Sequence, residues 1–94
     1  MNILAIDNDP KELEALTRRL REEEPGSRVL AFTDPLLAVK YGYNNPVDKV
    51  YAKTDMRGLR GNDVARLLEK VHPNLQIELL DDCLLYTSDA ADDK

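Results

Sequence analysis

Two short polar runs carry the residues best suited to chemistry. Asp7-Asn8-Asp9 follows the apolar run Asn2 to Ile6, and Lys53-Thr54-Asp55 follows the apolar run Val47 to Ala52. Carboxylates, a carboxamide and an ammonium brought together offer ion pairing and ligand binding. One of Asp7, Asn8 and Asp9 is needed to cap the helix that Pro10 opens, which leaves the others without a local task. The remaining candidates are weaker. Gly58 and Gly61 mark a loop but sit in no phosphate-binding pattern. His72 is the single histidine, so it has no second imidazole for a metal site and suits the C-terminal end of a helix. Cys83 is the single cysteine, with no histidine near it in sequence. Tyr41, Tyr43 and Tyr51 read as core or rim residues rather than a stacking platform for bases.

The elements that must position these residues follow from apolar periodicity and punctuation. Asn2 to Ile6 reads as a buried strand. Leu13, Leu16 and Leu20 recur at helical spacing, which predicts a helix running to about Glu24 and stopped by Pro25-Gly26. Arg28 to Phe32 is a second strand. Asp34-Pro35 opens a second helix with Leu36, Leu37, Ala38 and Val39 available for its buried side, and Asn44-Asn45-Pro46 closes it. Val47 to Ala52 is a third strand. Asp63 to Val71 is a third helix with Val64, Leu67, Leu68 and Val71 on one face, and a fourth strand begins at Leu75 and reaches Leu80.

Strict β-α-β-α-β-α-β alternation implies an α/β fold, a doubly wound parallel sheet with right-handed crossovers. In an open parallel sheet, ligands sit beyond the carboxyl ends of the strands where the winding reverses. In a 2-1-3-4-5 strand order the first and third strands are neighbours across that point. The two polar runs would therefore meet, since adjacent strands lie about 4.8 Å apart.

Composition sets bounds on function. Thirteen Lys and Arg against eighteen Asp and Glu give a formal net charge of −5. Residues 81 to 94 hold five aspartates and one lysine, so the first eighty residues stand at −1. That near-neutral body has no basic stripe for nucleic acid and no polybasic patch for a membrane. One cysteine excludes an intrachain disulfide. The opening residues lack the pattern of a signal peptide, and no run approaches the roughly 20 apolar residues of a membrane span. A cytoplasmic location is expected.

The order and spacing of these segments resemble the receiver domain of two-component response regulators. Asn2 to Pro10 is similar to that family's opening strand and acidic pair, and Ala31-Phe32-Thr33-Asp34-Pro35 to its second strand and helix start. The latter is closest in flavour to receivers of LytTR-type regulators. Asn45-Pro46-Val47-Asp48 resembles the approach to the third strand. The family's phosphoacceptor pattern, Asp-x-x-Met-Pro-Gly-x-x-Gly, falls on Lys53 to Gly61. Met56, Gly58 and Gly61 match it, Arg57 replaces the proline and Lys53 the aspartate. The resemblance runs over residues 1–80 without a gap and implies a flavodoxin-like fold, here incomplete after the fourth strand.

The family's pocket holds Mg²⁺ on carboxylates while an aspartate attacks phosphorus. The resemblance implies Asp7 retained, Asn8 in place of the second acid and Lys53 in place of the nucleophile. A divalent site on Asp7 and Asn8 is then weak or absent, and the Lys53 ammonium either pairs with Asp7 or snorkels outward. The expected function is a degenerate receiver, a regulatory module and not an enzyme. It needs no cofactor and acts through phosphate-independent contacts with protein partners, a sensor kinase or an output domain. The alternative is a phosphoaccepting receiver that uses Asp55 with Mg²⁺. A third choice is a flavodoxin-like domain for an unrelated ligand. Residues 81–94 read as a non-native or disordered acidic tail, because Cys83 to Asp92 resembles translated sequencing-adapter DNA.

Overall fold

The computed structural model describes residues 1–54 and 59–80. Its elements are β1 (Asn2–Ile6), α1 (Pro10–Glu23), β2 (Arg28–Phe32), α2 (Pro35–Asn44), β3 (Lys49–Lys53), α3 (Gly61–Glu69) and β4 (Gln76–Leu80). The four strands form one sheet in the order β2-β1-β3-β4, and every pairing is parallel. Leu4 lies between Leu30 and Val50, and Val50 pairs onward with Ile77. The α/β alternation expected from the sequence is the architecture observed.

Helices cover both faces of β1, so four of its five residues are buried, as a central parallel strand requires. Ile3 and Ala5 point to one face, where they pack with Val29, Tyr51 and the α1 residues Leu13, Leu16 and Leu20. Leu4 and Ile6 point to the other, where Val50 and Ala52 join Ala38 and Val39 of α2 and Val64 and Leu68 of α3. The reversal of winding lies between β1 and β3, so their carboxyl ends open onto the same crevice.

Two helix starts share one device. The Asp9 Oδ1 accepts the Lys11 N–H at 2.9 Å and Pro10 takes the first helical position. Asp34 and Pro35 repeat this at α2, with the Leu36 N–H donated to the Asp34 carboxylate at 3.0 Å. In α3, Asp63 reaches back to accept the Arg60 N–H at 3.4 Å.

Several boundaries and faces differ from the sequence reading. Strand β3 runs from Lys49 to Lys53, not from Val47 to Ala52. Val47 is buried, but it fills the core from the loop, while the Asp48 N–H bonds to the Asn2 carbonyl at 2.9 Å. Helix α3 starts at Gly61, so Gly61 is not a loop residue. The helix ends at Glu69, and Val71 lies past its end, 42% exposed rather than on the buried face. Leu36 and Leu37 of α2 are also exposed, at 58% and 53%. The helix seats its small residues Ala38 and Gly42 inward, and Leu68 of α3 packs directly on Gly42. The buried stripe thus falls on Pro35, Ala38, Val39 and Gly42, which turns Leu36 and Leu37 to solvent.

Candidate functional site

At the carboxyl end of β1, Asp7 is only 4% exposed. Its backbone N–H is donated to the Phe32 carbonyl at 3.1 Å, which continues the β1–β2 ladder by one residue. Its Oδ1 accepts the N–H of Asp9 at 2.9 Å, an Asx turn that leads the chain into α1. Asn8 gives its side-chain N–H to the Thr33 carbonyl at 2.9 Å, tying this turn to the end of β2. Asp9 caps α1. Each member of the Asp7-Asn8-Asp9 run therefore has a distinct local bond.

Lys53 closes β3, whose register with β1 sets Ala52 beside Ile6. The Lys53 side chain is 12% exposed and lies against the β1 turn. Its Nζ is 2.6 Å from Glu12 Oε1 and 4.0 Å from Asp7 Oδ1. Glu12 is thus the closer partner, and reading the sequence did not single it out. The available signal was its place in the first turn of α1, but only the packing of α1 over the strand ends brings it to Lys53. Burial pushes the Asp7 carboxyl above its ordinary value, and the nearby Glu12 adds to this, while the Asp9 N–H and the Lys53 ammonium oppose it.

The carbonyl of Lys53 is packed as closely as its ammonium. The Gly61 N–H is donated to the Thr54 carbonyl at 3.2 Å. A Cβ on Gly61 would lie 2.5 Å from the Lys53 carbonyl oxygen. Thr54 bonds by both its N–H and its hydroxyl to the Leu80 carbonyl, at 2.8 and 3.2 Å. The end of β3 is therefore fixed on three sides, by α1, α3 and β4.

Among the described residues, the Lys53 ammonium lies near both Asp7 and Glu12, and the Asn8 side chain bonds to the Thr33 carbonyl. No group of three His, Cys, Asp or Glu able to hold a metal occurs among the described residues. Asp55, Met56 and Gly58, named as candidates from the sequence, lie outside the described residues, as does Cys83. His72 is not at the site. Its Nε2 is 2.6 Å from the Gly42 carbonyl, which ties the end of α3 to α2. Tyr51 is buried under α1 and Tyr41 packs against Phe32, while Tyr43 is exposed. Among the described residues no helix is long and apolar enough to cross a membrane.

No protein-family model and no curated protein matches the chain. Solved structures do match it, among them response-regulator receiver domains and proteins. The chain is 29% identical to the response regulator TrrA of Thermotoga maritima, solved with Mg²⁺ and a beryllium fluoride, at a TM-score of 0.78. That match covers 96% of this chain and 76% of TrrA. A receiver domain protein from Clostridium thermocellum is 25% identical at a TM-score of 0.71, over 97% of this chain and 74% of that one. The beryllium-fluoride-activated DrrB receiver domain is 18% identical at a TM-score of 0.74, a likeness of fold alone, and this chain spans 64% of it.

Proposed function

We propose that residues 1–80 form part of a receiver domain in a two-component response regulator, of LytTR-like flavour, that has lost aspartyl phosphorylation at the end of β3. The observation that carries this reading is the Lys53 ammonium at the strand-end crevice, 2.6 Å from Glu12 and 4.0 Å from Asp7. An amine held there by carboxylates cannot become an acyl phosphate, and its charge substitutes for that of a metal ion. The turn of Asp7, Asn8 and Asp9 then serves to hold Lys53 and to start α1.

The module is a regulatory protein of the cytoplasm and not an enzyme. It signals by contact with protein partners, a sensor kinase or an output domain, rather than with nucleic acid or membrane. TrrA has been solved in complex with the histidine kinase ThkA, which makes a kinase-type partner the first to try. Residues 81–94 take no part in this proposal.

Intact-mass measurement after treatment with acetyl phosphate and Mg²⁺ tests the reading. The expected result is no phosphoryl adduct on the native chain and no tight Mg²⁺ binding by calorimetry. Lys53→Asp should gain Mg²⁺ affinity, because Asp7, Glu12 and the new carboxylate would then lie together without a cation. An adduct that disappears in Asp55→Ala but persists in Lys53→Ala would replace this reading with a phosphoaccepting receiver.

A further inference from the structure

An amine, an acid and a second carboxylate meet at the carboxyl ends of two neighbouring strands, and they can do more than pair charges. Lys53 Nζ is 2.6 Å from Glu12 Oε1 and 4.0 Å from Asp7 Oδ1. Burial, together with a side-chain hydrogen bond to Glu12, raises the Asp7 carboxyl above its ordinary value. Glu12 therefore touches both the amine and the acid. The Asp7 and Lys53 side chains are nearly closed to water, at 6% and 12% exposure, while that of Glu12 is 49% exposed.

The backbone holds the two inner groups in place. Ala52 pairs with Ile6, so residues 7 and 53 follow one another across the end of the β1–β3 ladder. The Asp7 Oδ1 is fixed by the Asp9 N–H, and Thr54, next to Lys53, is anchored twice on the Leu80 carbonyl. An acid and an amine free in water condense poorly, but groups held in register gain effective molarities of up to about 10⁵–10⁸ M. Attack needs the nitrogen about 3–3.5 Å from the carboxyl carbon. A short swing of the four-carbon Lys53 stem provides that approach.

We propose that Lys53 and Asp7 condense into an intramolecular isopeptide bond, with Glu12 carrying the protons. One proton passes from the Lys53 ammonium through Glu12 to the Asp7 carboxylate, which leaves a neutral amine beside a neutral acid. The nitrogen lone pair attacks the Asp7 carboxyl carbon, and the new N–C bond forms. A second nitrogen proton passes through Glu12 to the departing hydroxyl, which breaks from the carbon and leaves as water on the exposed side of Glu12. The products are a secondary amide, one water and Glu12 as the carboxylate it began as, so no co-reactant is needed. The separate side chains described above are the state before condensation. This inference does not depend on the function proposed above, because water loss and phosphoryl gain are distinct mass changes and each can fail without the other.

Intact-mass measurement under denaturing conditions tests it, on the full chain held folded at neutral pH for several days. The mass of the native chain should fall by that of one water, and proteolysis should yield the segment of Asp7 joined to that of Lys53. Lys53→Arg keeps a cation beside both carboxylates, but its guanidinium stays charged and does not attack, so that variant should keep its full mass. Glu12→Gln should fold, as circular dichroism would show, and lose water at least about a hundredfold more slowly. A native chain that keeps its full mass would overturn the inference. So would water loss that persists in Lys53→Arg, which would mark a succinimide in the Asp7-Asn8-Asp9 turn, or water loss at the native rate in Glu12→Gln.

Discussion

Lys53, Glu12 and Asp7 form a cluster with one cation and two carboxylates, and their unequal burial sets what each contributes. Glu12 is half exposed, so its bond to Lys53 is partly screened, and Glu12→Gln should cost about 0.5–1 kcal/mol. Asp7 is buried and cannot turn to water, so Lys53→Met should cost more at neutral pH, about 1–3 kcal/mol. Urea denaturation of the two variants gives the ranking, and an equal effect would mean that Asp7 does not depend on Lys53. The pH dependence has a definite sign. A folded-state pKa above the ordinary carboxylate value of 3.8 means that folded Asp7 keeps a proton which the unfolded chain has released. Its contribution to stability therefore falls as pH rises from 3.8 through the raised value. Asp7→Asn retains an acceptor for the Asp9 N–H, so at neutral pH it should be at least as stable as the native chain. Any advantage should shrink as the pH is lowered toward 3.8, and a variant less stable at pH 7 but not at pH 4 would contradict this. The pairing of Lys53 with a carboxylate could be anticipated from the sequence, because two polar runs end neighbouring strands. Glu12 could not be, since no sequence period says which side of α1 overhangs β3.

At the scale of elements, local chemistry written in adjacent residues was the most legible. Asp9-Pro10 and Asp34-Pro35 announce two helix starts, and both operate as cap and first helical residue. What could not be read were contacts between elements distant in sequence. Leu36 and Leu37 looked like core by type, yet α2 approaches α3 through Gly42, and that close approach rotates the leucines outward. Gly61 matched a motif as a loop residue, whereas its physical role is to let α3 begin against the backbone of β3. That role is testable. Ala is the better helix former by about 1 kcal/mol, so propensity alone makes Gly61→Ala stabilising. The Lys53 carbonyl oxygen at 2.5 Å and its carbon at 3.1 Å are backbone atoms, which cannot swing aside like a side-chain tip. We expect Gly61→Ala to cost about 1–3 kcal/mol and to shift the amide resonances of Lys53 and Thr54. Gly26 has nothing within 4 Å of an added Cβ, so Gly26→Ala is the matched control and should change stability by less than about 0.5 kcal/mol. A neutral Gly61→Ala would show that β3 and α3 can separate without loss.

For the molecule as a whole, the fold depends on β1 as the wall between two apolar clusters. The unbroken apolar run of residues 3 to 6 made that position readable, because a strand covered on both faces need not alternate with polar residues. Ile3 belongs to the cluster under α1, and Ile6 to the cluster under α2 and α3. Both are fully buried. They stand three residues apart, about 10 Å along the strand, and point to opposite faces. Removing one methylene from either should cost about 0.5–1.5 kcal/mol. Because the two side chains share no packing neighbours across the sheet, the costs of Ile3→Val and Ile6→Val should add to within about 0.5 kcal/mol in the double variant. The clusters are nevertheless bound to one backbone, so neither can melt while the other keeps its strand. The amide resonances of Tyr51 under α1 and of Tyr41 beside Phe32 report on different faces, and far-ultraviolet circular dichroism reports on the helices of both. In urea these signals should give one midpoint for the native chain and for all three variants. A separate, earlier transition on the α1 side would mean that the single helix covering that face is held by its own cluster alone, and that the sheet does not couple the two layers.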